Sequence, residues 1–225
     1  MTAGSPRLPI VVLISGSGSN LQALIDGAAQ DLPIDIRAVI SNEPAAFGLE
    51  RARRAGIETR VLNHRDFVGR EAYDQALAEL IDGFSPGLVV LAGFMRILTP
   101  ALVARYHGRM FNIHPSLLPR FRGLHTHERA LAAGESIHGA SVHFVTEELD
   151  GGPIVLQARV PIESGDDPAR LAARVLTQEH RIYPLVVHWF AEGRLRLGED
   201  GMPHMDGRAL HKPLILDELP ATQVD

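Results

Sequence analysis

Apolar residues along this chain recur in two rhythms. Ile10-Val11-Val12-Leu13-Ile14 and Leu88-Val89-Val90-Leu91-Ala92 are unbroken runs rich in β-branched residues, as expected for strands buried on both faces. Residues 36–41 and 57–62 predict two further strands. Helical spacing appears at Leu21, Leu24, Ile25 and Ala28, over 46–55 with Gly56 as the C-cap, and over 71–84, where Tyr73, Leu77, Leu80, Ile81 and Phe84 share one stripe. Thr99-Pro100 and Asp167-Pro168 each place a capping side chain before a proline at the first helical position. The second pair opens the longest helix, with Leu171, Val175, Gln178, Ile182, Leu185 and Val186 inward and a kink or restart expected at Pro184. A helix near 128–133, an alternating strand over 139–145 and a returning, antiparallel strand over 154–160 complete the pattern. Strands alternating with helices predict an α/β protein: a single-domain, doubly wound, mostly parallel sheet with an antiparallel C-terminal addition.

Length supports this. At 225 residues one domain with a sizeable core is expected. Residues 1–8 are expected to be a disordered leader, 9–197 the domain, and 198–225 a tail rich in Pro, Gly and charge that carries no functional signal. A net charge of −5 gives no electrostatic case for nucleic acid. No apolar run is long enough for a membrane helix, and no signal-peptide pattern opens the chain. Cysteine is absent, which excludes disulfides and thiolate metal ligands. A soluble, cytoplasmic protein is the expectation.

The chemistry concentrates in two stretches. Asn112 and His114 follow the apolar pair Met110-Phe111, so on a strand their side chains share one face. Pro115 disfavours further pairing, which leaves both groups at the carboxyl edge of a sheet, where open α/β sheets bind ligands. Asp150, in the turn Leu149-Asp150-Gly151-Gly152, is the candidate carboxylate to support a charged imidazole, and Asn112 supplies amide donors for a developing oxyanion. No Gly-x-Ser-x-Gly elbow occurs, and with no evident protein nucleophile the set suggests direct transfer of a carbonyl group between two bound substrates. The alternative is that Asn and His at a strand end are simply satisfied polar groups. Ser15-Gly16-Ser17-Gly18-Ser19-Asn20, between a strand and a helix start, suits an anion or is an ordinary βα turn; the third glycine of Gly-x-Gly-x-x-Gly is missing. Gly93 to Pro100 is apolar enough for core or for a pocket holding a flat heterocycle. His125-x-His127, with His114, His138 and His143, invites a metal reading, but no supported spacing such as His-Glu-x-x-His occurs, and no metal is expected. His143 lines the site or is packed; the pattern leaves both open.

Asn112-x-His114-Pro115-Ser116-Leu117-Leu118-Pro119, with Gly139-x-Ser141-Val142-His143-Phe144-Val145 and Leu149-Asp150-x-Gly152, strongly resembles the phosphoribosylglycinamide formyltransferases of purine synthesis. The resemblance runs from about Ile10 to about Leu197 and implies their Rossmann-like fold. It implies Asn112, His114 and Asp150 as the catalytic set, Gly18, Ser19 and Asn20 as the grip on the ribonucleotide phosphate, and Glu179 as a contact to its ribose. It also implies Arg70 at the folate glutamate tail and Met95, Arg96, Ile97, Leu98 and Asn112 at the folate. The implied reaction moves a formyl group from 10-formyltetrahydrofolate, a co-substrate, to the amino group of glycinamide ribonucleotide. Small molecules are then the only partners, and a monomer or homodimer is expected.

Two rivals stand beside this reading. A 10-formyltetrahydrofolate hydrolase shares the Asn/His/Asp pattern but usually carries an extra N-terminal domain. A non-catalytic nucleotide- or folate-binding module shares the fold without the chemistry. Methionyl-tRNA formyltransferases also share the pattern but add a C-terminal nucleic-acid-binding domain.

Overall fold

The computed structural model describes residues 7–220. Eight strands form a mostly parallel sheet, in the order 214–215, 154–161, 137–144, 110–114, 88–91, 8–14, 34–41 and 59–61, and three short strands, 208–209, 203–205 and 195–197, form a second sheet. The chain divides into two compact units, one ending at Phe111 and one beginning at Asn112.

The first unit holds β1 (Leu8–Ile14), α1 (Ser19–Ala28), β2 (Ile34–Ser41), α2 (Phe47–Arg54), β3 (Thr59–Val61), α3 (Arg70–Asp82), β4 (Leu88–Leu91) and α4 (Pro100–Arg105). β1 pairs in parallel with both β2 and β4, and β2 with β3. The two unbroken apolar runs are therefore neighbours, and Ile10 to Ile14 are fully buried, as a strand covered on both faces requires. β1 begins at Leu8, inside the expected leader; residues 1–6 lie outside the described residues. Thr99 caps α4 as expected, its hydroxyl accepting from the Leu102 N–H at 3.4 Å.

The second unit continues β5 (Met110–His114) and adds α5 (Thr126–Ala132), β6 (Ile137–Phe144), β7 (Ile154–Pro161) and α6 (Pro168–Ala191). β6 and β7 are antiparallel, the expected C-terminal addition. Asp167 accepts from the Arg170 N–H at 2.8 Å and so caps α6. Pro184 sits inside this helix, which runs through as one element of 24 residues instead of restarting. Its inner face explains why: Ile182, Tyr183, Val186, Val187 and Trp189 are all buried, each contributing about 1.5–3 kcal/mol that offsets the proline's lost hydrogen bond.

The described part of the tail carries short strands. β8 (Leu195–Leu197), β9 (Pro203–Met205) and β10 (Arg208–Ala209) form the small sheet, and β11 (Leu214–Ile215) adds in parallel to Leu156 and Gln157 of β7. The short strand that the sequence reads past Gly193, ending at Leu197, is β8; the other three are too short to carry a periodic signal.

The segment after β5 is fastened to the antiparallel pair. Ser141 Oγ accepts from the Leu118 N–H at 3.0 Å and donates to the Ser116 carbonyl at 2.6 Å. Gln157 Nε2 donates to the Leu118 carbonyl at 2.9 Å and to Ser141 Oγ at 2.8 Å, all within the interior. The Leu118-Pro119 peptide bond is cis. Gln157→Leu removes the donor and strands a buried carbonyl, a loss of about 1–3 kcal/mol. Urea denaturation should show a lower midpoint; an unchanged midpoint would mean the segment is held by other means.

Candidate functional site

β5 delivers Asn112 and His114 to one side of its carboxyl end, and the turn after β6 brings Asp150 to them. His114 Nδ1 lies 3.4 Å from Asp150 Oδ2, with both side chains under a tenth exposed. Asp150 Oδ2 also accepts from the Gly123 N–H at 2.9 Å, while Asn112 Nδ2 approaches Oδ1 at 3.5 Å. Asp150 takes the left-handed conformation, φ 49°, which Asp tolerates better than most residues. The turn also depends on Gly152, because a Cβ there would lie 1.9 Å from the Phe144 carbonyl oxygen.

Carbonyl partners fix the tautomers. His114 Nε2 lies 2.9 Å from the Phe121 carbonyl, which only accepts, so Nε2 carries a proton. The nitrogen free to gain or lose a proton is then Nδ1, the one facing Asp150. Without a proton between them, an imidazole lone pair and a carboxylate oxygen would repel at 3.4 Å. His143, left open by the sequence pattern, belongs to the site. Its Nδ1 donates to the Phe144 carbonyl at 2.9 Å, so its Nε2 accepts from Asn112 Nδ2 at 3.2 Å. That bond sets the Asn112 amide with its NH2 inward. One amide proton is committed to His143, and the other meets Asp150 only weakly, ready for a better acceptor.

Burial holds the surrounding imidazoles neutral. It is the largest cause lowering His143 and His127, and burial followed by His127 pushes His138 down to about 4. His127 and His138 stack edge to face at 5.2 Å between centroids, and His138 also contacts Phe121. Among the described residues no group of three or more His, Asp or Glu side chains is placed to hold a metal ion. Glu179, expected at the ribose, is buried within α6 at 7% exposure, where a helix glutamate is ordinarily solvated.

The first unit carries the other expected residues. Gly18, Ser19 and Asn20 line a cavity of about 180 Å³ with Ser15, Gly16, Ser17 and Met95. Gly18 caps α1 in the left-handed conformation, φ 70°, and a Cβ there would lie 2.5 Å from Gly48 Cα. The sequence pattern did not single out Arg51. Its Nε donates to the Ser17 carbonyl at 2.8 Å and its Nη1 to Gln22 Oε1 at 3.2 Å, while its guanidinium lies 5.0 Å over the Phe47 ring. Arg51 thus holds the carbonyl beside the start of α1, the kind of helix end that suits an anion.

Met95 and Ile97 are exposed, at 68% and 54%, on a loop whose next residue, Leu98, is buried. Two exposed large apolar side chains so close suit a flat apolar ligand. Ser15 Oγ accepts from the Met95 N–H at 2.8 Å, tying this loop to the anion cavity. Arg96 lies 5.2 Å over Tyr73, and Arg70 is the exposed first residue of α3. Both arginines act on Asp74, whose carboxyl is raised overall by burial against their opposing pull and the Thr99 hydrogen bonds.

Residues 8–187 match the formyl transferase family. The phosphoribosylglycinamide formyltransferase of Escherichia coli strain K12 is 58% identical over 202 residues, covering 89% of this chain and 95% of that protein. The phosphoribosylglycinamide formyltransferase of Haemophilus influenzae is 49% identical over 204 residues, covering 90% and 96%. A solved structure of the enzyme of that name from Coxiella burnetii is similar at a TM-score of 0.89 and 52% identity, covering 93% of this chain and 99% of that one.

The neutral histidines give the fold an acid dependence. An imidazole held below its ordinary 6.5 takes a proton in the unfolded chain before it does in the folded one. The stabilisation is complete above about pH 6.5 and is lost as pH falls toward 4, where His138 protonates in the folded state. The urea midpoint should fall across that window, and less steeply in His138→Gln. Equal slopes for the two proteins would remove His138 from the effect.

Proposed function

The chain belongs to the formyl transferase family, and from that membership and the Asn112-His114-Asp150 geometry we infer its reaction. It transfers a formyl group from 10-formyltetrahydrofolate, as co-substrate, to the amino group of N1-(5-phosphoribosyl)glycinamide, a step of purine biosynthesis. The carrying observation is the ion-pair distance of 3.4 Å between His114 Nδ1 and Asp150 Oδ2, with Asn112 alongside.

The glycinamide amine attacks the formyl carbon directly. Asn112 Nδ2 exchanges its weak 3.5 Å contact with Asp150 for the oxygen that becomes anionic. The same oxygen competes with the Phe121 carbonyl for the His114 Nε2 proton and gains as charge develops, since a charge-assisted bond is about twice as strong as a neutral one. Asp150 balances the charged imidazole and relays a proton from the attacking amine toward the leaving folate nitrogen. In the first unit, Gly18, Ser19 and Asn20 hold the phosphate, supported by Arg51. Arg70, Met95, Arg96, Ile97 and Leu98, with Asn112, hold the folate, and Glu179 takes the ribose. We place the enzyme in the cytoplasm as a monomer or homodimer. No helix among the described residues is long and apolar enough to cross a membrane.

Asp150→Asn is the informative substitution, because Asn also tolerates the left-handed backbone and still accepts from Gly123. Turnover should fall by at least about 100-fold while tetrahydrofolate binding persists; full turnover would remove Asp150 from the chemistry. Formate release without the ribonucleotide would instead favour a hydrolase. Arg51→Gln should raise KM for the ribonucleotide about tenfold, roughly 1.4 kcal/mol of binding, with kcat and the folate KM unchanged. An equal loss in all three parameters would make Arg51 a general stabiliser only.

A further inference from the structure

The C-terminal tail builds a second pocket. A cavity of about 310 Å³ lies within the second unit, with the Asp150-Gly151-Gly152 turn on one wall and tail residues on the other. That volume is at the lower end of small-molecule sites. Its frame is unusually stiff: Pro119, Pro153, Pro203 and Pro213 all line it. Each proline has a fixed φ and no N–H, so these positions present apolar rings and no backbone donor. Leu118, Ile154 and Leu210 extend the apolar lining. A ligand here is recognised by an apolar body and by whatever charge the remaining side chains offer.

That charge is positive and comes mainly from one residue. Lys212 is the only lysine in the chain; the other 21 of its 22 basic residues are arginine. Arg122, also in the lining, is already paired with Glu148. Asp150 is occupied by Gly123, Asn112 and His114. Lys212 is exposed and has no ion-pair or hydrogen-bond partner among the described residues. Its ammonium is therefore the free charge of the pocket, and the neighbouring His211 adds a further polar group. A protein of net charge −5 thus places a cationic residue in the lining of a largely apolar cavity.

We propose that this pocket binds a small amphiphilic anion, a carboxylate or sulfonate on an aromatic or cycloaliphatic body. The ring lies among the prolines and the anionic group meets Lys212. Such a ligand touches the turn that carries Asp150 from the tail side, so its occupancy is felt in the turn's backbone. The site needs only the cavity and its charge, and it stands or falls independently of the transfer reaction.

The probe is 3-phenylpropionate, titrated into the full-length, isotope-labelled protein and followed by amide resonances, with and without tetrahydrofolate. Saturable shifts at Gly151, Gly152, Leu210 and Lys212, alike in both titrations, are expected. Lys212→Glu and the uncharged probe 3-phenylpropanol should each weaken binding about tenfold or more. Because Lys212 carries the only side-chain amine, its acetylation read by mass spectrometry reports the same event, and the probe should slow it. Binding abolished by tetrahydrofolate would place the anion in the folate site and overturn the proposal. So would affinity unchanged in Lys212→Glu with a native amide spectrum, or shifts that never saturate.

Discussion

The 2.9 Å bond from the His114 Nε2 proton to the Phe121 carbonyl governs the protonation of the site. A carbonyl can only accept, so one imidazole nitrogen is spoken for, and all proton exchange falls on the other. Asp150 stands at that other nitrogen. A second bond of the same kind, His143 Nδ1 to the Phe144 carbonyl, turns His143 Nε2 into an acceptor and thereby fixes the Asn112 amide. Two backbone carbonyls, seven and one residues away in sequence, set the donor pattern of three side chains.

Those carbonyls are useful only if the backbone carrying them is held. Ser141 and Gln157 hold the segment after β5 through three hydrogen bonds and are joined to each other by a fourth, and Gly152 lets the turn pass against the Phe144 carbonyl. In the first unit Arg51 holds the Ser17 carbonyl beside the start of α1.

Much of this was legible in the sequence. The two-residue spacing of Asn112 and His114 placed both on one face because the strand period is fixed by stereochemistry. The Gly-rich turn marked Asp150, and the apolar runs located the central strands. What escaped has a common cause. His143 meets Asn112 across 31 positions, and Arg51 meets Ser17 across 34, contacts that only pairing in space creates. The burial of Glu179 and the continuity of α6 through Pro184 likewise follow from packing against the fold, not from local propensity. The tail's strands after β8, two or three residues each, are too short for any period to show, and their order comes from the partners they pair with.

Depth alone does not distinguish the histidines of the second unit. His138, His143 and His114 are 1%, 2% and 6% exposed, so a rule based on burial would treat them alike. For the first two, burial is the dominant influence and favours the uncharged ring, and each gives its proton to a backbone carbonyl. His114 has such a carbonyl as well, but its remaining nitrogen faces a carboxylate at 3.4 Å. His143 Nε2 also lies 3.9 Å from Asp150 Oδ1, but it accepts from the Asn112 amide, whereas His114 Nδ1 faces the carboxylate directly. Partner and not depth therefore distinguishes these rings: an amide donor at His143 Nε2, a carboxylate at His114 Nδ1.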